Sequence, residues 1–424
     1  MPSEGPDPIE EARRLLPGGV SSPVRAAVRP SPFLVEGARG ARLVTRGGEL
    51  VDWVMGYGPL ILGHADERVR RAVEGQLERG WLYGAPSRSE IELARKIVEY
   101  YGPGKVRFVN SGGEAAMTAV RLARGATGRR LVVKFDGCYH GASDALLSRA
   151  GRGGVGEPSS AGVPGEIASL TLVLRYNDPQ GLEGAMRRVG EDVAAIIVEP
   201  VGANMGVVPA DADFLRALRE EADRAGALLI FDEVVTGFRL GLRGAQGLYG
   251  VRPDLTVLGK IIGGGFPVGA VVGRAELMDL LAPSGPVYNA GTFNGHPVSM
   301  AAGLATIEVL EEGWPYARAE RAARAVAEEL SRMRLGGRPV AVNAVGSMFQ
   351  VFMREPPVRD AEGARAADQG AYARLHESLL REGVFSPPVQ TETWFASAAH
   401  GDEEVERTLE GLRRAWPGRG GGST

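Results

Sequence analysis

Short apolar runs alternate with longer amphipathic stretches through the middle of the chain, and that rhythm predicts most of the architecture. Residues 106–109, 131–135, 193–198, 227–231 and 255–258 are strand-sized and apolar almost throughout, as strands covered on both faces are. Helical patterns such as 214–225 lie between some of them. Upstream, Asp66 is placed to cap a helix running through Val69, Val73 and Leu77, and a second amphipathic stretch, 91–98, follows Ser89. Strands and helices in this order predict an α/β fold: a mostly parallel central sheet with helices on both faces.

Beyond about residue 312 the composition shifts to a long Arg/Glu/Ala helical pattern over 317–334, strands near 339–342 and 348–352, and two more helices. That reads as a smaller α+β domain. Hairpin-like stretches at 33–36 and 42–45, separated by Gly37 and Gly40, are expected to pack on it. The division is therefore an N-terminal segment 1–55, a large domain 56–311, a small domain 312–416 and a disordered tail 417–424.

Composition narrows the function. At 424 residues, with net charge -3 and pI near 6.1, the chain has no general electrostatic attraction to nucleic acid. Arginine pairs such as Arg70–Arg71 read as solvated helix faces. Cys138 is a single cysteine, so no intrachain disulfide framework exists and a reducing compartment is expected; the residue itself reads as a small buried hydrophobe. No basic segment followed by an apolar one opens the chain, and no apolar run reaches membrane-spanning length, which predicts a soluble cytoplasmic protein. His64, His140, His296, His376 and His400 show no ligand spacing, so no metal is expected.

Ligands of open α/β sheets bind beyond the carboxyl ends of the strands, and four such ends carry polar chemistry. After 106–109 comes Asn110-Ser111-Gly112-Gly113-Glu114, whose Ser111, Gly112 and Gly113 at a helix start suit a phosphate, although Ser111 as a plain cap explains the serine equally well. After 131–135, Tyr139 and His140 offer an aromatic face and an imidazole, with Tyr139 as ordinary core the competing reading. After 227–231, Asp232 and Val234 stand where a buried carboxylate would need a cationic partner. The fourth end is Lys260. Only Lys96, Lys105, Lys134 and Lys260 could supply an amine, since arginine cannot condense with a carbonyl, and Lys260 lies among apolar residues and glycines that would desolvate it.

A phosphate cradle, an aromatic platform, an acid and a lysine, in that order, are the attachments a pyridoxal phosphate ring requires, in its aldehyde form or as pyridoxamine phosphate. With these on one chain, the stretch 231–239 (Phe-Asp-Glu-Val-Val-Thr-Gly-Phe-Arg) followed by Lys260 resembles the fold type I, class III aminotransferase family. The stretch 291–297 resembles that family's phosphate contact from a neighbouring subunit. The resemblance implies a homodimer in which Thr292 crosses the interface.

The stretches 17–25 (Pro-Gly-Gly-Val-Ser-Ser-Pro-Val-Arg), 175–178 and 199–206 are similar to the family's aminomutase branch, and the match runs from about residue 7 to 415. This resemblance implies conversion of glutamate-1-semialdehyde to 5-aminolevulinate through 4,5-diaminovalerate, for tetrapyrrole synthesis, with glutamyl-tRNA reductase as a candidate partner. It implies that Ser22 and Arg25 bind the substrate carboxylate, Trp53 lines the pocket, Asn204 supports the cofactor ring and Glu392 contacts the substrate amine. Lys260 would move the proton between substrate carbon and cofactor. Two departures stand out: Gly113 replaces a threonine common in the family, which predicts a weaker hold on phosphate, and 150–165 carries extra glycines and Arg152 where the family keeps a mobile lid. An aminotransferase or amino-acid racemase on the same scaffold, or a cofactor-binding protein without turnover, remain the alternatives.

Overall fold

A computed structural model describes residues 8–416; the expected disordered tail lies outside these residues. Its centre is a seven-stranded sheet formed, in chain order, by β1 (Lys105–Val109), β2 (Leu131–Phe135), β3 (Thr171–Leu174), β4 (Val193–Val198), β5 (Leu228–Asp232), β6 (Leu255–Gly259) and β7 (Gly269–Gly273), laid out as β1-β7-β6-β5-β4-β2-β3. Within the sheet β7 alone runs against its neighbours, pairing antiparallel with β6 and β1, so the other strands end along one edge. Every residue of β4, β5 and β6 is buried, which is why those runs show no alternation.

The helix-starting residues bring the chemistry to that edge. Ser111 caps Gly112–Thr127 by accepting a hydrogen bond from Glu114 N at 3.2 Å, and Asp66 caps Glu67–Leu77 through Arg68 N and Val69 N. The next helix, Arg88–Tyr101, is capped by Ser87 in a reciprocal box with Glu90, two residues ahead of the serine read as its start.

Near the C-terminus, Ala341–Val345, Met348–Phe352 and Trp394–Phe395 form a three-stranded antiparallel sheet covered by the helices Trp314–Ser331, Gln369–Arg381 and Asp402–Ala415. The N-terminal strands Gly37–Arg39, Arg42–Thr45 and Gly48–Asp52 join it through Val384–Phe385, which runs parallel to Gly48–Asp52. The first hairpin strand is 37–39, whereas 33–36 runs outside the sheet, with Phe33 packed edge-on against Phe385 at 5.0 Å.

Residues 148–158 overlap the stretch 150–165 expected to be a mobile lid. Ser148–Ala150 and Gly156–Pro158 form an antiparallel hairpin, and Val155 bridges to Leu172 on the edge strand β3. A Cβ on Gly156 would come within 2.3 Å of Ala168 O, so the glycine permits the hairpin to lie flat on the sheet edge.

Candidate active site

Four strand ends converge on a cleft of about 620 Å³ lined by Ser111, Gly112, Gly113, Tyr139, His140, Glu199, Asn204, Asp232, Val234 and Lys260, with Pro59 and Phe266 at its rim. The amides of Gly112 and Gly113 precede the helical ladder and are left for an external acceptor. Close approach explains both glycines: a Cβ on Gly112 would lie 2.6 Å from Val234 Cγ2, and one on Gly113 3.2 Å from Gly141 Cα. Gly113 is thus matched by Gly141, and the cradle there is bare backbone.

Asp232 is 5% exposed at the floor. Its Oδ2 lies 2.7 Å from His140 Nδ1, and its Oδ1 accepts from Val234 N at 3.1 Å. Burial lowers the His140 pKa against the pull of Asp232, and His140 Nε2 has no hydrogen-bond partner. Tyr139 is 51% exposed, a ring facing solvent rather than core, with its amide donating to Glu199 Oε1 at 2.7 Å.

Glu199 was not singled out in the sequence, yet it organises one wall. Its carboxylate also accepts from Ala203 N at 2.9 Å and from Asn204 Nδ2 at 3.1 and 3.0 Å, which fixes Asn204 on the cleft. Burial, reinforced by repulsion from Asp232, pushes its pKa up to about 7. A glutamate five residues before an asparagine it holds is a local signal that the sequence could have shown.

Of the four lysines, Lys96 pairs with Glu311 at 2.6 Å, Lys105 with Asp279 at 2.6 Å, and buried Lys134 donates to Leu146 O at 3.0 Å. Lys260 places its amine in the cleft, donating to Tyr57 O. Burial lowers its pKa, partly opposed by Glu392, which makes the amine easier to deprotonate than an exposed lysine. It also adopts a left-handed backbone, φ 47°, a strained conformation for a residue with a Cβ and one found disproportionately at functional positions.

The residues expected to meet substrate divide. Glu392 acts on Lys260 and is itself raised by burial. Arg25, in the short helix Pro23–Ala27, lines a second cavity of about 500 Å³ together with Tyr57; Ser22 immediately precedes that helix, makes no side-chain cap to it and lines neither cavity. Tyr57 stands between the two, its carbonyl on Lys260 and its hydroxyl pushed up to about 12 by burial and Glu392. Trp53 does not line the pocket. It is 0% exposed, donates to Thr408 Oγ1 at 2.9 Å and packs against His400, Phe349 and Trp394, because the end of Gly48–Asp52 directs it into the C-terminal core. Thr292 is exposed and outside the cleft of its own chain.

Bare amides, an exposed ring, a buried carboxylate and a desolvated amine form a pocket for a phosphorylated aromatic aldehyde with a cationic ring nitrogen. The buried Asp232 carboxylate facing the cleft fits that group, since among the described residues its partners are His140 and the Val234 amide, with no lysine or arginine on it. The family model for class III aminotransferases matches residues 24–400, and the chain belongs to that family. It is 57% identical over 412 residues to a Hyperthermus butylicus protein named glutamate-1-semialdehyde 2,1-aminomutase, covering 96% of this chain and 97% of the relative. Among solved structures it resembles an omega-transaminase from Sphaerobacter thermophilus (36% identity, TM-score 0.89, 98% and 97% of the two chains). It also resembles a glutamate-1-semialdehyde aminomutase from Pseudomonas aeruginosa, a variant of which was solved in complex with PMP (27% identity, TM-score 0.86, 96% and 92%).

Proposed function

We propose that this protein is a glutamate-1-semialdehyde 2,1-aminomutase, using pyridoxal and pyridoxamine phosphate to form 5-aminolevulinate for tetrapyrrole synthesis. The near-full-length identity of 57% to a protein of that name carries the reading, because the omega-transaminase shares the fold and so the scaffold alone does not select the substrate. The cofactor, when bound, supplies an exchangeable amine and an electron sink. The amides of Gly112 and Gly113 would hold its phosphate, Tyr139 would cover its ring, and Asn204, held by Glu199, would support it. Asp232, anchored by His140 and Val234, would keep the ring nitrogen protonated.

Lys260, its pKa lowered by burial, takes a proton from the substrate carbon and returns it on the far side of the exchange. The semialdehyde gains an amine at its aldehyde carbon to give 4,5-diaminovalerate, which then gives up its other amine, so nitrogen balances without an external donor. Arg25 receives the substrate carboxylate as a bidentate donor, with Ser22 beside it, and Glu392 the amine.

The functional unit is a homodimer in the cytoplasm, with Thr292 of each chain completing the other's phosphate site. Exposure of Thr292, together with Phe293 and Ile91 as exposed apolar neighbours in sequence and space of that face, supports a covering second copy. Glutamyl-tRNA reductase is the proposed supplier of the semialdehyde. No helix among the described residues is long and apolar enough to cross a membrane. The test is a single turnover with cofactor carrying ¹⁵N in its amine: the label is expected in 5-aminolevulinate, and unlabelled or absent product overturns the proposal.

A further inference from the structure

Arg239 is the most unusual charge in the molecule. It is 1% exposed, and among the described residues no carboxylate lies within ion-pair distance of it. A buried guanidinium without a counterion is costly, so its neutral contacts must hold it in place. Nη1 donates to Ser347 Oγ at 3.0 Å and to Ala396 O at 3.3 Å, Nη2 donates to Gly58 O, and the Phe395 ring lies 4.8 Å from its Cζ. Its loop is equally fixed. Buried Glu233, at the far end of that segment, accepts from Thr236 Oγ1 at 2.9 Å and Gln246 N at 3.2 Å, while Phe238 N donates to Tyr101 Oη at 3.3 Å.

The Gly58 carbonyl explains the placement. Lys260 donates to the carbonyl of Tyr57 and Arg239 to that of the next residue, so an amine and a guanidinium grip consecutive peptides of one turn. Gly58 has φ 110°, and a Cβ there would lie 3.1 Å from the Phe395 ring and 3.5 Å from Lys260 Cδ. The turn is wedged between amine and guanidinium with no room for a side chain. The charges acting on Lys260 are Glu392, Glu199 and Asp232, which favour its protonation, and Arg239, which opposes them.

We propose that Arg239 is a positioning residue for Lys260: it clamps the turn that receives the amine and sets one unpaired positive charge against the three carboxylates around it. The inference rests on the reading of Lys260 as the reactive amine. Without Arg239 burial alone would oppose the carboxylates, and the amine would hold its proton more tightly.

The chain has so few lysines that the test is direct. Lysine-selective ¹³C labelling of the pyridoxamine-loaded holoenzyme gives four Cε signals, each followed through pH and that of Lys260 assigned with Lys260→Arg. In the wild type Lys260 is expected to titrate below Lys96, whose own value Glu311 raises. Arg239→Gln keeps donors but loses charge and should raise the Lys260 midpoint by about one pH unit, whereas Arg239→Lys should return it close to wild type. The kcat of Arg239→Gln should fall with little change in KM. The proposal is overturned if wild-type Lys260 titrates with Lys96, which needs no Arg239 variant to fold, if Arg239→Gln leaves the midpoint unmoved, or if Arg239→Lys shifts it equally. Loss of the Lys260 role would appear differently, as turnover surviving in Lys260→Ala.

Discussion

Asp232→Asn separates binding from catalysis. Both Asp232 oxygens now accept, one from His140 and one from Val234, and the cleft side is left to a cationic ring nitrogen. Asparagine has one acceptor oxygen, so one of these donors must face an amide N–H, a loss of about 1–3 kcal/mol in stability. The larger effect is on charge. Two unit charges about 4 Å apart at an effective dielectric near 20 attract by roughly 4 kcal/mol, and each 1.36 kcal/mol is about a tenfold change in rate. Discounting for the hydrogen bond that asparagine keeps, kcat should fall by about 10² to 10³, with cofactor still bound through the Gly112 and Gly113 amides. Steady-state turnover and cofactor absorbance on the same sample measure both. A fall of less than about tenfold with cofactor retained would refute the assignment of Asp232 as the partner of the ring nitrogen.

Lys260→Ala should abolish turnover and leave the cofactor releasable by dialysis, as followed by absorbance; residual activity within about tenfold of wild type would remove the amine from the chemistry. Trp53→Phe should lower stability by about 1 kcal/mol through the lost bond to Thr408, with KM unchanged; a tenfold rise in KM in steady-state assays would return Trp53 to the substrate pocket. Glu199 has a folded pKa near 7, raised from 4.5, so the folded state binds its proton more tightly. Its contribution is therefore fully present below about 4.5 and is lost as pH rises to about 7, roughly 3 kcal/mol in cofactor-free protein. Glu199→Gln should flatten that slope in denaturant melts at several pH values, and an unchanged slope would contradict the placement.

What the sequence showed depended on how each segment is buried. The strands 131–135 and 193–198 were legible to the residue because runs buried on both faces are apolar almost throughout, Lys134 being the one polar residue in the first. β7 was missed since glycines at both ends of Gly269–Gly273 leave only three apolar residues, and β3 since Thr171–Leu174 is short. Pro297–Leu310 is buried on almost every side and so lacks the 3.6-residue stripe by which a half-exposed helix is recognised. At the site, Lys260 and Asp232 were legible because each follows an apolar run at a strand's carboxyl end. Arg239 and Glu199 matter through partners distant in sequence, such as Gly58 with Arg239, or through burial that their own neighbours do not reveal. Trp53 was misread because an aromatic near the site is as readily core as wall, and only the pairing of Gly48–Asp52 with Val384–Phe385 decides which.

The central claim is an exchange of amine within one molecule, and the most direct measurement is 5-aminolevulinate formed from glutamate-1-semialdehyde by the purified, pyridoxamine-loaded protein with no other amino donor or acceptor. Sustained formation over many turnovers is predicted. Product that appears only when a second amino or keto acid is added would contradict the account, leaving the scaffold correct and the substrate wrong.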